Sequence, residues 1–243
     1  MSIFDQKVIK YEMKPLSSLE KVFPDETPVY RMECQMLSGL WGETVSFQVA
    51  YTGDFVMRER LDVRVVSELA EHVHVRTVEM VPVGRATNGI VDDNYLKTTS
   101  GLYPDLLKDL KDGKVIVYSR QWRSLWVDVD ITNEIPAGEY EIELQLIKEG
   151  EVVCSAKQKV TVIGTELPKL DIMHTEWMHA DCLADYYHVE VFSEEHWKLL
   201  ENYFQEYVKR DCNMMLTPLF TSPLDTAIGL ERTTCQLIDV EVK

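Results

Sequence analysis

No apolar run in the 243 residues reaches the length that a membrane-spanning helix needs. The opening stretch, Met1 to Lys10, lacks the apolar core of a secretory signal. Basic residues are scarce: 25 Lys and Arg stand against 41 Asp and Glu, a formal net charge of −16. So acidic a surface repels nucleic acid and anionic lipid, and neither is expected as a partner. The cysteines, Cys34, Cys154, Cys182, Cys212 and Cys235, are odd in number, widely spaced and without a C-x-x-C pair. They read as reduced thiols of a cytoplasmic protein, not as a disulfide framework. A neutral ligand such as a sugar suits this balance. Hydrophobic residues make up 45% and charged residues 27%, enough for a substantial core.

Segments of alternating polarity fill the first two thirds: Val29–Met36, Glu43–Tyr51, Leu61–Val66, Val73–Val83, Val115–Tyr118, Leu125–Ile131, Tyr140–Ile147 and Val152–Ile163. In the seventh, Tyr140, Ile142, Leu144 and Leu146 alternate with Glu141, Glu143 and Gln145, so one face is buried and the other is wet. Turn signals separate the runs, among them Ser38-Gly39, Asp112-Gly113, Pro136-Ala137-Gly138 and Glu149-Gly150. The pattern predicts an antiparallel β-sandwich over residues 1–165. Tyr140, just past a turn, is expected to tie its hydroxyl back to the backbone. Arg85–Gly113 reads as a long loop, with one helical turn at Leu106, Leu107 and Leu110. Trp122 and Trp126, four apart, should share a strand face, the inner one by preference, since large aromatics serve burial.

Residues 166–243 read differently. Leu170–His174 is expected as a short buried strand, Phe192–Arg210 as a helix and Asn213–Leu216 as a second buried strand. Ser193 is a good N-cap, and Phe192 with Trp197 occupies the positions of a hydrophobic staple. Leu200, Tyr203, Phe204, Tyr207 and Val208 form one apolar stripe. Strand, helix, strand predicts a parallel βαβ unit, TIM-barrel-like but only part of such a barrel. This segment holds 15 acidic and 6 basic residues, or −9, against −7 for residues 1–165, which again argues against an anionic ligand.

Two segments offer chemistry. His174-Thr-Glu-Trp-Met-His-Ala-Asp181-Cys182 follows the first parallel strand, where α/β folds place their ligands, and reads as loop. His174 and His179 stand five apart, which matches no standard zinc spacing, so neither metal nor cofactor is expected. Trp177 could stack on a sugar face while His179 and Asp181 address hydroxyls, unless the aromatics simply pack. The second segment, Leu216 to Gln236, follows the other strand. Pro218 and Pro223 stiffen it, and Thr217, Thr221, Asp225, Thr226 and Arg232 supply polar groups for binding, or else for local caps and ion pairs.

The runs Trp177-Met-His-Ala-Asp-Cys-Leu-Ala-Asp-Tyr-Tyr-His188, Phe192-Ser-Glu-Glu-His-Trp197, Asn213-Met-Met-Leu-Thr-Pro-Leu-Phe-Thr-Ser-Pro-Leu-Asp-Thr226 and Glu231-Arg-Thr-Thr-Cys-Gln-Leu-Ile-Asp-Val240 resemble the family 123 glycoside hydrolases. The resemblance implies a β-sandwich ahead of a (β/α)₈ catalytic barrel and action on N-acetylgalactosaminides. It also implies an adjacent Asp-Glu pair on a later barrel strand, in which the Glu is general acid/base and the Asp orients the substrate's own N-acetyl nucleophile. The sole Asp-Glu dipeptide here, Asp25-Glu26, lies before the sandwich strands, so no catalytic residue carries over. The leading expectation is therefore the N-terminal part of a glycosidase-like protein, inactive alone, holding part of a site for N-acetylhexosamine-containing carbohydrate. A non-enzymatic carbohydrate-binding sandwich is the alternative. A homo-oligomer that covers the incomplete barrel is a third possibility.

Overall fold

The structure, a computed structural model, describes residues 10–28, 36–55, 57–85, 95–169 and 171–217. The chain divides into two compact units, Met1–Leu167 and Pro168–Lys243.

The first unit is built from two five-stranded sheets. One has the order β1 (Lys10–Ser17), β3 (Thr44–Asp54), β8 (Arg123–Asp130), β5 (Val73–Val83) and β6 (Gly101–Asp109), antiparallel throughout. The other runs β2 (Met36–Trp41), β10 (Glu151–Glu166), β9 (Gly138–Lys148), β4 (Glu59–Val66) and β7 (Lys114–Val117). Here β2 lies parallel to β10 and every other pairing is antiparallel. Alternation explains the core. Leu125, Val127 and Val129 of β8 and Ile142, Leu144 and Leu146 of β9 point inward and are buried, together with Phe47 and Val49. The Tyr140 hydroxyl donates to the Pro136 carbonyl at 2.8 Å, which makes the expected corner.

Several expectations need correction. Residues 101–109 are not a loop with a helical turn but strand β6, paired with β5. As an edge strand it buries only Pro104, so it carries no apolar period to read. Ser38-Gly39 is not a turn: both residues lie in β2, and a Cβ on Gly39 would stand 2.8 Å from Val45 Cγ1. The glycine is there for close approach. Of the expected strand Val29–Met36, residues 29–35 lie outside the described residues. Strand β1 is not signalled by the sequence because Pro15 interrupts it, which an edge position tolerates. Trp126 does not face the shared core. It sits on the opposite face of β8, where its indole N–H donates to Asp128 Oδ1 at 2.7 Å. Trp122 precedes β8 and is buried in a separate cluster with Leu16, Val22 and Ala50.

The second unit holds β11 (Thr175–Trp177), α1 (Ala180–Tyr187), α2 (Glu194–Val208) and β12 (Met214–Leu216). Strands β11 and β12 pair in parallel, Trp177 beside Leu216. Residues 171–174 are not strand, and Ile172 and Met173 are exposed, so the first strand starts later than its apolar run implies. Both strands are exposed in part, not buried. The segment read as loop is helical from Ala180, and α2 begins at the expected cap: Ser193 Oγ accepts from His196 N at 3.2 Å. The staple rings of Phe192 and Trp197 stack 5.8 Å apart.

Candidate functional site

The C-terminal edge of the β11–β12 pair gathers four of the expected site residues. Trp177 ends β11 and is 70% exposed. Beyond it, Met178 N donates to the Leu216 carbonyl at 2.8 Å, so the chains leaving both strands stay together. Thr217 Oγ1 accepts from Ala180 N at 3.5 Å and so satisfies a free amide in the first turn of α1. The residue at the N-cap position, His179, makes no side-chain cap bond. Its Nδ1 is shielded from solvent and has no hydrogen-bond partner among the described residues. Asp181 is buried in the first turn of α1, where the helix dipole favours a carboxylate. The other expected residues, Thr221, Asp225, Thr226 and Arg232, lie outside the described residues.

His196 supports this edge from below. It is fully buried on α2, its Nε2–H donates to the Ala180 carbonyl at 2.8 Å, and its Nδ1 accepts from Phe192 N at 3.0 Å. Both ring nitrogens are used, so His196 is a structural link between α1 and α2. It also helps hold Phe192 at a φ of 63°, a costly value for a non-glycine residue. Sequence reasoning passed over His196 because its partners are backbone atoms, which leave no signature in residue identity.

The N-terminal edge of the same strand pair carries a second group: His174, Glu176 and Cys212. Sequence reasoning saw His174 but missed Cys212, which stands 38 residues away. Burial, with the charges of Glu176 and Asp211, pushes the Cys212 thiol up from its ordinary value. Among the described cysteines, Cys154, Cys182 and Cys212 form no disulfide.

Comparison with known proteins bears on both units. Residues 177–243 match the sequence model of the glycoside hydrolase 123 catalytic domain. The chain looks like part of a family 123-like glycoside hydrolase. A solved family 123 glycoside hydrolase from Clostridium perfringens, described in connection with glycolipid glycan hydrolysis, superposes with a TM-score of 0.63 at 13% identity. The match covers 88% of this chain and 38% of that one, so the chain spans well under half of that family 123 structure. At such identity the likeness concerns the fold alone. A β-glucosidase from Listeria innocua aligns at 10% identity over 66% of this chain and 17% of its own, with a TM-score of only 0.29, too low to carry an argument. No curated protein matches. Among the described residues no helix is long and apolar enough to cross a membrane.

Within the family 123 comparison, Asp25-Glu26 is the dipeptide to test. Lys97 Nζ lies 3.2 Å from Asp25 Oδ1 and 2.7 Å from Glu26 Oε1. The hydrogen bond from Lys97 holds the Asp25 carboxyl below the usual carboxylate range.

Proposed function

We propose that this chain carries the β-sandwich and the opening of the catalytic barrel of a family 123-type glycosidase. In this reading residues 166–243 supply part of the mouth of a site for N-acetylhexosamine-containing carbohydrate. The observation that carries it is the exposed Trp177 ring at the strand edge where β/α folds bind their ligands, paired with Leu216 just before Thr217 and two residues ahead of His179, whose Nδ1 has no partner among the described residues. An aromatic face with adjacent polar atoms is the usual way to hold a sugar, since the ring covers C–H groups while the polar atoms take hydroxyls. Trp177 takes the stacking role, and His179 and Thr217 address hydroxyls. Asp181 holds the turn that presents them. Thr221, Asp225, Thr226 and Arg232, outside the described residues, are assigned to further polar contacts with the sugar by residue type alone. The match of the glycoside hydrolase 123 catalytic domain to residues 177–243 supports this assignment.

The catalytic carboxylate pair is assigned outside this chain, because Asp25 and Glu26 are committed to Lys97. Thiols outside any disulfide, as at Cys154, Cys182 and Cys212, suit the reducing conditions of cytoplasm. The sandwich alone is a weaker candidate for sugar binding, because Trp122 is buried and Trp126 is bonded to Asp128.

Titrating N-acetylgalactosamine into the 243-residue chain, followed by ligand-observed NMR, tests the reading. Saturable binding is expected, weakened about tenfold in Trp177→Ala, the loss of roughly 1.4 kcal/mol of stacking. Unchanged binding in that variant would assign Trp177 to packing. Turnover of an aryl N-acetylgalactosaminide by this chain would overturn the placement of the carboxylate pair.

A further inference from the structure

The edge of the β11–β12 pair opposite the sugar-facing one brings together three kinds of metal ligand. His174 and Glu176 are two residues apart, and extended chain at the start of β11 puts them on one side. Cys212 arrives from the turn before β12. His174 Nε2 lies 3.2 Å from Glu176 Oε1 and 3.8 Å from Cys212 Sγ. One donor atom from each residue falls within 4.8 Å of the other two. We propose that His174, Glu176 and Cys212 bind a divalent ion of borderline softness, zinc by preference, which pins the N-terminal edge of the strand pair.

Three observations converge on this. The first is spacing. A tetrahedral zinc with a thiolate at about 2.3 Å and nitrogen or oxygen at about 2.0–2.1 Å sets neighbouring donor atoms roughly 3.3–3.6 Å apart. The two separations at His174 Nε2, 3.2 and 3.8 Å, bracket that range, and Cys212 Sγ also stands 3.6 Å from His174 Nδ1, so the ring turns to aim one nitrogen at the ion. The second is ligand chemistry. Thiolate, imidazole and carboxylate together suit zinc and exclude magnesium and calcium, which take oxygen ligands. The third is a frame that holds both ligand segments without the ion. The His174 carbonyl accepts from Asn213 N at 3.2 Å and from Met214 N at 3.1 Å. In return Asn213 Oδ1 accepts from His174 N at 3.0 Å, and Asn213 Nδ2 donates to the Ile172 carbonyl at 2.8 Å. Cys212 N is held by the Tyr207 carbonyl at 3.1 Å. Such support keeps ligands in place and raises affinity.

Three protein ligands leave a fourth position for water. The edge points away from the sugar-facing end, so the ion's work is stabilisation of the second unit. The inference does not depend on the sugar-binding reading.

Cobalt(II) is the probe, since a cobalt–thiolate bond gives a charge-transfer band in the near ultraviolet. Titrated into the reduced 243-residue chain, it should produce that band with one equivalent bound, and zinc should displace it and raise the Tm. Cys212→Ser should lose the band while Cys182→Ser keeps it. Glu176→Gln, an exposed change that leaves the fold intact by circular dichroism, should weaken binding several-fold. No band in the folded wild-type chain, or a band that survives Cys212→Ser, overturns the proposal.

Discussion

The two units bury apolar residues to very different depths. In the first, the facing sheets share one core in which Val127, Val129, Leu125, Ile142, Leu144 and Leu146 are almost wholly shielded. In the second, the described residues give a small cluster of Met178, Ala180 and Leu200, while Trp177, Trp197, Phe204 and Val208 remain exposed. An antiparallel sandwich closes on itself, because each strand has one inner face and the partner sheet covers it. A parallel pair needs cover on both faces, and among the described residues two helices and two three-residue strands do not supply it. The contrast explains why the first unit stands on hydrophobic burial and why a metal staple is of more use to the second.

Core truncation should expose that difference most sharply. Leu144→Ala is expected to cost about 3–4 kcal/mol, because the cavity cannot collapse between two packed sheets. Leu200→Ala should cost about 2 kcal/mol, because its surroundings are looser. Urea unfolding of the two variants checks this, and equal or reversed costs would break the comparison. Single hydrogen bonds come next. Tyr140→Phe removes the corner bond of the first unit, and Ser193→Ala removes the helix cap of the second. Each should lower stability by about 1 kcal/mol, the cap loss being read by helical ellipticity at 222 nm. Similar values would show that the units differ in burial and not in local bonding.

Acid should sharpen the comparison by the smallest margin. Burial alone would raise the Glu59 carboxyl, but hydrogen bonds from Lys148 and Tyr11, with the Lys148 charge, leave it below its ordinary value. A depressed carboxylate stabilises the fold above its unfolded pKa, and that stability is lost as pH falls through the folded value. Glu59→Gln should therefore flatten the acid limb of Tm against pH, by a difference of roughly 1 kcal/mol. The Glu206–Lys209 pair of α2 also lowers its carboxyl, yet it is solvent-exposed, and Glu206→Gln should leave the limb unchanged. An equal effect from both variants would count against the assignment.

Legibility in the sequence followed burial. A strand with one wet and one buried face, such as β9, shows its period plainly, and β5 spans Val73–Val83 as its pattern predicts although only Val78 in it is buried. Strands β1, β2 and β6 carry Pro15, Gly39 and Pro104, which read as breakers and are in fact edge or close-contact positions. Helix α2 was legible from Ser193 and the Phe192–Trp197 staple. Helix α1 was not: it has only eight residues, and its first free amide is met by Thr217, far away in sequence. At the candidate site, Trp177 and Thr217 could be placed together from strand order alone. The group of His174, Glu176 and Cys212 could not, because strand register, not sequence spacing, brings Cys212 to His174.

One strand, β10, joins two kinds of neighbour. It meets β9 through a two-residue turn, Glu149-Gly150, with φ of 53° and 88°, and meets β2 from the far end of the unit's chain. In chain-entropy terms the first pairing closes almost no loop, while the second closes one more than a hundred residues long. Loop cost rises only by about 0.6 kcal/mol per doubling of length, so distance alone does not forbid β2. Strands β3 to β9 all lie within that span. The β2–β10 ladder thus brackets, in sequence, every strand from β3 to β9, one parallel seam spanning what the antiparallel pairings fill.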